Sequence, residues 1–481
     1  MKKLMIAVAS ASMVQGVFAA GFGIYEGSAR GNALGGAVIG DVDDATAAYH
    51  NPANIAFSTN IQVAAGVTFI NPFCDVEVDH KSQGRMNAGW FTVPTFYATI
   101  PLPFDLAFGW GNYTEFGLGS EYARYWDLAK DTQKTTLKQI TLNPTLSYKI
   151  ADWWSVAAGP RISWIQFTSH KQPYNGESIY GTDTSGMGLY DYRIDDAFNL
   201  NARLKGDDWG AGWMAATTFK PHRDVSLGLI YRSQIRHKIS GNFNLNGTAG
   251  GYPQVTVNND AVQGLLDQVY QGALAQGAGP DAANAAKQEM QGQLNSQLSQ
   301  AQNTWQGEKK NEHLRGSAKL RLPDSLTFGA NWNVTTRYRI GSSITYTRWS
   351  SMDSIHFRIG GGYGYRLPLK WSDTFRVGLG MEYDFTPYLS GRIGYTYDQD
   401  PTSRSHQSTM LPGGDRHIIG WGTGIKLTDN LRLDFAYNFI RMNNEHYYID
   451  TVDYYGNRSK KYISYHNGFS HLVSATINYS F

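Results

Sequence analysis

The chain ends with Val473-Ser474-Ala475-Thr476-Ile477-Asn478-Tyr479-Ser480-Phe481, and this stretch indicates most clearly how the chain folds. Apolar residues occupy every second position, and Ser, Thr and Asn occupy the positions between them. Successive side chains of a β-strand point to opposite sides of the sheet, so the stretch predicts a strand with one apolar and one polar face. Soluble β-sandwiches and membrane barrels both contain such strands.

The same alternation recurs along the chain, near residues 225–232, 389–397 and 431–439. In a sandwich the polar face meets water, whereas in a transmembrane barrel the apolar face meets lipid and the polar face lines a lumen. Charged residues on the polar face and tyrosines near the strand ends favour the barrel. We therefore predict an all-β fold, a transmembrane antiparallel β-barrel.

The links between the predicted strands fall into two length classes. Short polar links lie near residues 151–152, 220–224, 334–337, 384–387 and 427–430. Long links cover residues 119–133, 170–204 and 243–315. Short turns at one end and long extracellular loops at the other are typical of membrane barrels, which have an even number of strands. The pattern predicts about fourteen strands, with 170–204 and 243–315 as the long extracellular loops.

One segment of the longest loop departs from the strand pattern. Residues 259–305 are rich in Ala, Gln and Asn, and Val262, Leu265, Leu266 and Val269 recur at helical spacing. Gly277-Ala278-Gly279-Pro280 interrupts the pattern. The segment predicts a helical hairpin, with a disordered polar insertion as the alternative for its second half.

Composition limits the class of protein. The 481 residues include 52 Gly, 30 Tyr and a single Cys, Cys74, which excludes an internal disulfide and carries no metal motif. The net charge of +2 gives no reason to expect a nucleic-acid partner. Mean hydropathy is −0.39 and no apolar run reaches the roughly 18 residues of a membrane helix. Barrel strands are apolar only at alternate positions, so average hydropathy does not reveal them.

The beginning of the chain indicates export. Met1-Lys2-Lys3 precedes a short apolar stretch that ends in small residues, which describes a secretory signal peptide over residues 1–19. Residues 20–59 are small and polar and end in a turn at Asn51-Pro52-Ala53. They are too polar to cross lipid and too few to fold alone. We expect them to form an N-terminal hatch in the lumen of a barrel over residues 60–481; a loose periplasmic tail is the alternative.

Five stretches together resemble the long-chain fatty acid transporter family of the outer membrane, which includes importers of aromatic hydrocarbons. They occur in the family's order over nearly all of the chain after residue 19. The stretches are the hatch motifs Asp43-Asp44-Ala45 and Asn51-Pro52-Ala53; Phe108-Gly109-Trp110-Gly111 with Gly117-Leu118 and Glu121-Tyr122; Leu204 to Gly210 with Gly212-Trp213; Tyr231-Arg232-Ser233; and Leu322-Pro323-Asp324 with Tyr346-Thr347 and Trp349-Ser350.

The resemblance implies a fourteen-stranded barrel whose third strand kinks inward and leaves a hole in the wall. It implies that ligands bind a groove between two extracellular loops, move to an inner pocket near the hatch and leave sideways into the membrane. In this sequence the hatch residues are Asp43, Asp44, Asn51, Pro52 and Ala53; the kink residues are Phe116, Gly117 and Leu118; and the groove residues are Leu265, Leu266 and Val269.

The implied function is passive transport of long-chain fatty acids or related hydrophobic compounds across the outer membrane of a Gram-negative bacterium. Such downhill transfer needs no cofactor. The sequence leaves the ligand open between fatty acids, alkanes and aromatics. Lys171 and Arg376 are candidate contacts for a ligand carboxylate; the alternative is that both are ordinary lumen charges paired with nearby acids.

Two other classes of function remain for comparison. A general diffusion porin would have an open aqueous pore, which residues 20–59 argue against. An outer-membrane lipase of the α/β type would need a Gly-x-Ser-x-Gly motif, which the sequence lacks. We therefore expect a non-enzymatic monomer that contacts its hydrophobic ligand and outer-membrane lipid, without a bound metal.

Overall fold

The computed structural model describes residues 21–86, 89–123, 126–172, 178–183, 186–360, 363–403, 409–410, 413–452 and 458–481. The predicted signal peptide lies outside the described residues. The strands in chain order are β1 (Gln62–Val78), β2 (Lys81–Arg85), β3 (Phe91–Pro101), β4 (Leu106–Tyr113), β5 (Leu118–Glu121), β6 (Lys134–Ala151), β7 (Trp154–Lys171), β8 (Ile179–Thr182), β9 (Tyr190–Ile194), β10 (Phe198–His222), β11 (Val225–Arg232), β12 (Ile235–Gly251), β13 (Gln254–Val257), β14 (Gln306–Leu322), β15 (Ser325–Asn333), β16 (Tyr338–Thr347), β17 (Ser354–Ile359), β18 (Tyr363–Pro368), β19 (Thr374–Thr386), β20 (Leu389–Asp398), β21 (Arg416–Lys426), β22 (Leu431–Met442), β23 (Glu445–Val452) and β24 (Arg458–Ser480).

Helices occupy two regions of the described chain. The N-terminal region contains α1 (Ala29–Ala33), α2 (Ala47–His50) and a 3₁₀ helix (Pro52–Phe57), and the longest loop contains α3 (Asn259–Ala275) and α4 (Pro280–Asn303). A further 3₁₀ turn spans Trp349–Ser351. No helix in the described part of the chain has the length and hydropathy needed to cross a membrane.

Fourteen antiparallel strands form a closed ring. Their order is β1, β3, β4, β6, β7, β10, β11, β15, β16, β19, β20, β21, β22 and β24, and β24 pairs back to β1. The closing ladder runs from Gln62–Ser480 to Val78–Ile463. The predicted barrel and its strand number are therefore confirmed.

The two faces of the last strand identify the surroundings of the barrel. Val473 and Ile477 are each 46% exposed, whereas Ser474 and Thr476 are 1% and 4% exposed. A water-soluble sandwich would bury the apolar residues instead. Here the polar face is turned inward, so the apolar outer face requires a lipid environment.

The connections follow the predicted length classes. At one end they are short, at 102–105, 152–153, 223–224, 334–337, 387–388 and 427–430. At the other end the loops after β7 and β12 cover 172–197 and 252–305, so both are shorter than predicted. The reason is that β10, β12, β14, β17 and β18 pair with one another beyond the barrel and continue the sheet into the loops.

The N-terminal segment, residues 21–57, contacts the inner faces of strands around the ring. The Asn32 side-chain amide lies 2.8 Å from Ser474 Oγ of β24, and the Asn51 amide lies 2.8 Å from Thr218 Oγ1 of β10. Ser147 Oγ of β6 donates a hydrogen bond to the Pro52 carbonyl. Because these partners belong to widely separated strands and face inward, the segment lies within the ring.

Glycines on the inner wall allow this segment to approach the strands closely. A Cβ atom on Gly394 of β20 would lie 2.5 Å from Gly35 N, and one on Gly380 of β19 would lie 2.5 Å from the Leu34 carbonyl oxygen. Both contacts are too short for a real Cβ atom. The same kind of contact occurs at Gly228, Gly329, Gly341, Gly378, Gly420 and Gly422. We call this set the glycine trough.

The trough gives a testable expectation for Gly394→Val. The added side chain should push residues 34–35 off the wall, since overpacking of a close contact costs about 1–3 kcal/mol. The N-terminal segment should become sensitive to protease while the strands stay folded. Ser342→Val, on the outer face of β16, is the matched control and should change nothing. Equal protease resistance of both variants would contradict the role of the trough.

Candidate functional site

A cavity of about 70 Å³ lies between the N-terminal segment and the inner wall. It is lined by Gly23, Ile24, Tyr25, Gly36, Ile39, Tyr49, His50, Glu115, Phe116, Arg161, Arg232, Pro323, Ser325, Thr327, Ser343, Thr345, Thr347 and Arg376. Pockets that enclose a drug-sized ligand have roughly 300–1,000 Å³. The cavity therefore encloses only part of a long ligand in this conformation.

One carboxylate and two guanidinium groups form the charged side of the cavity. Glu115 accepts a hydrogen bond from Arg161 and lies 3.4 Å from Arg232 Nε. Arg161 also donates to the Ser233 carbonyl at 2.9 Å, and its side chain is almost completely buried. The cluster carries one positive charge in excess, so it favours an anion.

Arg376 adds a third guanidinium to the cavity. It lies 4.3 Å above the ring centroid of Tyr25, a cation–π contact, and 3.6 Å from Asp398, which also pairs with Arg416. The cavity thus contains Arg376, one of the two basic residues predicted from the sequence. Lys171 is the other; it lies opposite Ala202 at the long-loop end of β7 and is not among the described residues that line the cavity.

His50 lines the cavity without adding charge. Burial lowers the pKa of His50 to about 3, and the neighbouring Arg232 and Arg30 act in the same direction. Its Nε2 lies 2.8 Å from Ser28 Oγ, so the neutral imidazole has a partner within the N-terminal segment.

An apolar cluster lies next to the cavity. Its aromatic centre joins Phe22 of the N-terminal segment to Phe116, Trp349 and Trp371 of the wall, with ring centroids 5.1–6.1 Å apart, mostly edge to face. Leu118, Leu137, Ile165, Phe167, Leu204, Ile235, Ile239, Leu320, Leu322 and Phe357 continue it. We call this set the aromatic cluster.

The predicted kink is a break between β4 and β5. Both strands pair with β6, but four residues, 114–117, leave the ladder between them. The β3–β4 ladder begins only at Phe96, so within the described chain residues 91–95 of β3 pair with β1 alone. The wall is therefore interrupted beside Phe116, which also lines the cavity.

The start of the N-terminal segment pairs with the freed backbone at the break. Gly117 N donates to the Phe22 carbonyl at 2.9 Å, and Ile24 N donates to the Glu115 carbonyl at 2.8 Å. The Gln139 side chain accepts from Glu115 N at 2.9 Å. Residues 22–24 therefore extend along the break and satisfy its freed backbone groups.

The predicted hatch residues hold the segment elsewhere. Asn51 is fully buried and bonds the Ile39 carbonyl as well as Thr218. The carbonyls of Pro52 and Ala53 accept from β6 and β7, and none of the three lines the cavity. The preceding Tyr49 and His50 line the cavity.

Asp44 belongs to a buried ionic floor at the short-link end of the barrel, and Asp43, whose side chain is 66% exposed, lies at its border. Arg30 pairs with Asp43 and lies 3.2 Å from Glu382 of β19, while Asp44 pairs with Arg432 of β22. On the wall, Arg392 and Asp434 extend the network, together with Arg339.

The two long loops are joined in a small sheet outside the barrel. Strand β9 pairs with β8 of its own loop and with β13 of the other loop. The predicted helical hairpin is confirmed as α3 and α4. Leu266 is buried against Leu189 and Leu294, whereas Leu265 and Val269 are partly exposed.

Sequence reasoning missed Arg161, Arg232 and Glu115. Each is a charged residue in or next to an apolar strand pattern, which is the only local signal that they share. Among the described residues, no cluster of His, Cys, Asp or Glu has the arrangement of a metal site.

Comparisons with known proteins agree with this architecture. The sequence profile of the family described as Outer membrane protein transport protein (OMPP1/FadL/TodX) matches residues 9–481. The long-chain fatty acid transport protein of Escherichia coli O6:H1 is 24% identical over 91% of this chain and 90% of its own length. Outer membrane protein P1 of Haemophilus influenzae is 23% identical over 92% and 90%.

Two solved structures have the same fold. A FadL homologue of Pseudomonas aeruginosa superposes with a TM-score of 0.73 at 20% identity, covering 96% of this chain and all of that one. The toluene transporter TodX of Pseudomonas putida superposes with a TM-score of 0.62 at 16% identity, covering 94% and 98%. The closed barrel and the match over nearly the whole sequence lead to one conclusion: this outer-membrane protein belongs to the OMPP1/FadL/TodX family of outer membrane transport proteins.

Proposed function

We propose that the protein carries long-chain fatty acids, or related hydrophobic compounds, across the outer membrane by passive diffusion. The ligand binds between the extracellular loops, moves to the cavity beside the N-terminal hatch and leaves sideways through the wall. The names of the relatives support this substrate class, because they include fatty acid and toluene transporters.

The observation that carries the proposal is the position of the break between β4 and β5. Glu115 and Phe116 belong both to the break and to the cavity, so a ligand in the cavity lies next to the interrupted wall. A straight path to the periplasm is obstructed by the hatch and the ionic floor. The short route out of the cavity is therefore lateral.

Capture begins at the joined loops, 172–197 and 252–305. The partly exposed Leu265 and Val269 offer apolar surface beside the small sheet of β8, β9 and β13. Each methylene removed from water contributes about 0.8 kcal/mol, so an acyl chain has a strong tendency to leave water for such a surface. Passage from loop to cavity to lipid keeps the chain out of water and needs no energy source.

The charges of the cavity favour a carboxylate headgroup over a neutral one. Arg161, Arg232 and Arg376 line it, against the single carboxylate of Glu115. Arg376 is the best contact, since Arg161 and Arg232 already donate hydrogen bonds to Glu115 or to carbonyl groups. Arg376 instead lies 3.6 Å from Asp398, which it shares with Arg416, and its Nε has no hydrogen-bond partner within the described chain. The alkyl chain would extend into the aromatic cluster, whose rings must separate to admit it.

The open porin is the weaker alternative. A porin depends on a continuous aqueous lumen, whereas residues 21–57 contact the inner wall on several sides. No described feature favours a hydrolase.

We expect Arg376→Gln to weaken uptake of oleate but not of oleyl alcohol. A hydrogen bond to a charged group contributes about 1.5–3 kcal/mol, so the apparent affinity for oleate should fall roughly tenfold or more. Arg337→Gln, in an exposed periplasmic turn, is the matched control. The measurement is the uptake of labelled oleate and of labelled oleyl alcohol by cells that carry each variant. If Lys171→Gln weakens oleate uptake and Arg376→Gln does not, the assignment of the carboxylate contact is wrong.

We expect Gly117→Trp to block uptake while the protein still folds and binds ligand at the cell surface. The bulky ring would occupy the interruption in the wall. Heat-modifiability on gels checks folding, and Asp152→Trp, whose side chain is 96% exposed in a periplasmic turn, is the control for a surface Trp. A folded Gly117→Trp protein with normal uptake would rule out lateral exit.

Deletion of residues 27–40 tests the hatch. The segment includes the residues that pack in the glycine trough, so its removal should leave an aqueous path and raise single-channel conductance. The deleted protein should still show the heat-modifiable shift of a folded barrel. Unchanged conductance of a folded deletion variant would mean that the segment does not plug the lumen.

A further inference from the structure

Two cross-strand pairs of like charge lie where β12 pairs with β14, on the outer face of the sheet that continues the barrel toward the long loops. Arg236 is directly opposite Arg321, and Lys238 is directly opposite Lys319. All four side chains are exposed. Like charges at directly opposite positions destabilise a sheet, so the chain alone gives no reason for this arrangement.

Further cations surround the two pairs on the same face. Arg315 lies on β14, Arg358 on β17 and Lys205 on β10, and all three are exposed. Acids are few on this face: Asp207 is opposite Ser240, and Asp324 at the lower border is paired with Arg348 at 2.9 Å. Asp208 accepts a hydrogen bond from the Lys238 backbone amide at 2.8 Å. Within the described chain, no carboxylate oxygen lies within 4.0 Å of a side-chain nitrogen of Arg236, Lys238, Lys319 or Arg321. We call these four residues the basic band.

The basic band begins where the apolar outer surface ends. Below it, Leu326 and Phe328 are exposed on β15, which follows β14 in the chain, and Trp213 of β10 packs its ring 5.1 Å from Tyr231 of β11. Exposed aromatic rings of this kind mark the membrane interface. The outer surface therefore changes from cationic at Arg321 to apolar at Leu326, five residues further along the chain.

The height of the basic band along the barrel axis agrees with the position of the outer membrane–water interface. Trp332 lies at the periplasmic end of β15, and Arg321 is eleven positions earlier in the chain, on β14, which is followed directly by β15. At about 3.3 Å per residue and a tilt near 40°, the two differ in height by roughly 28 Å. The apolar belt of such a barrel is about 25 Å tall, so the band lies at headgroup level in the outer leaflet.

We propose that the basic band binds the headgroup of an outer-leaflet lipid that carries phosphate groups. Arginine forms paired hydrogen bonds to phosphate oxygens, and lysine supplies a compact charge, so two Arg and two Lys suit a headgroup with two phosphates. Its acyl chains would lie on the apolar surface below, around Leu326 and Phe328. Bound phosphate removes the repulsion within each pair, which explains why the cations are tolerated there.

The test uses the purified full-length protein, delipidated in detergent, with diphosphoryl lipid A as the probe. Native mass spectrometry should show lipid retained by the wild type and retained at least tenfold less by Arg236→Gln/Arg321→Gln and by Lys238→Gln/Lys319→Gln. Lys309→Gln/Arg458→Gln removes two exposed cations at the far ends of β14 and β24 and should retain lipid normally. Equal retention by all variants would overturn the proposal.

Two further measurements separate the lipid from simpler anions and from a folding defect. Lipid A without its phosphates should bind weakly, and inorganic pyrophosphate should displace diphosphoryl lipid A only at far higher concentration. If either compound bound as tightly as diphosphoryl lipid A, a site for a phosphate-bearing lipid would be contradicted. Without lipid, the double variants should unfold on gels at a higher temperature than the wild type because the repulsion is gone. With lipid, only the wild type and the control should gain heat stability. A double variant that gains as much from lipid as the wild type would also refute the site.

Discussion

Every backbone polar group at membrane depth must find a partner within the protein, because lipid offers none. The ladders of the closed ring satisfy this requirement for most of its residues. Where β4 gives way to β5, four residues leave the ladder with β6. Their partners are the carbonyl of Phe22, the amide of Ile24 and the side chain of Gln139. The interruption in the wall and the start of the N-terminal segment are thus one hydrogen-bonded unit.

This dependence explains the composition of the inner wall. The N-terminal segment must enter the ring deeply enough for residues 22–24 to reach the break, and glycines such as Gly380 and Gly394 leave room for its backbone. Polar side chains then complete the contact, as Asn51 does with Thr218. The apolar outer face and the polar inner face therefore serve different purposes: one meets lipid and the other holds a second layer of polypeptide.

Much of this architecture follows from local sequence periodicity. Alternation over two residues identifies strands and their faces, and turn composition separates short links from long loops. Periodicity does not give the height of a side chain in the lumen or its neighbours from other strands. Lys171 and Arg376 were therefore equivalent candidates, although only Arg376 reaches the cavity. Periodicity does not identify the partners of the break for the same reason, since only the folded ring brings residue 22 to residue 117.

The two ends of the N-terminal segment are held by forces of different kind. At the short-link end of the barrel, Arg30 and Asp44 pair with charged residues of the wall in a buried network. Breaking a buried ion pair typically costs about 3–5 kcal/mol, because the remaining charge loses its partner. At the long-loop end, Phe22 packs against rings of the aromatic cluster. An alkyl chain can replace those apolar contacts with its own, so separation of the rings exposes little new surface to water. A hydrophobic ligand can therefore displace the end of the segment that Phe22 holds, whereas the end that Arg30 and Asp44 hold stays fixed. This difference favours a route that turns sideways before it reaches the ionic floor.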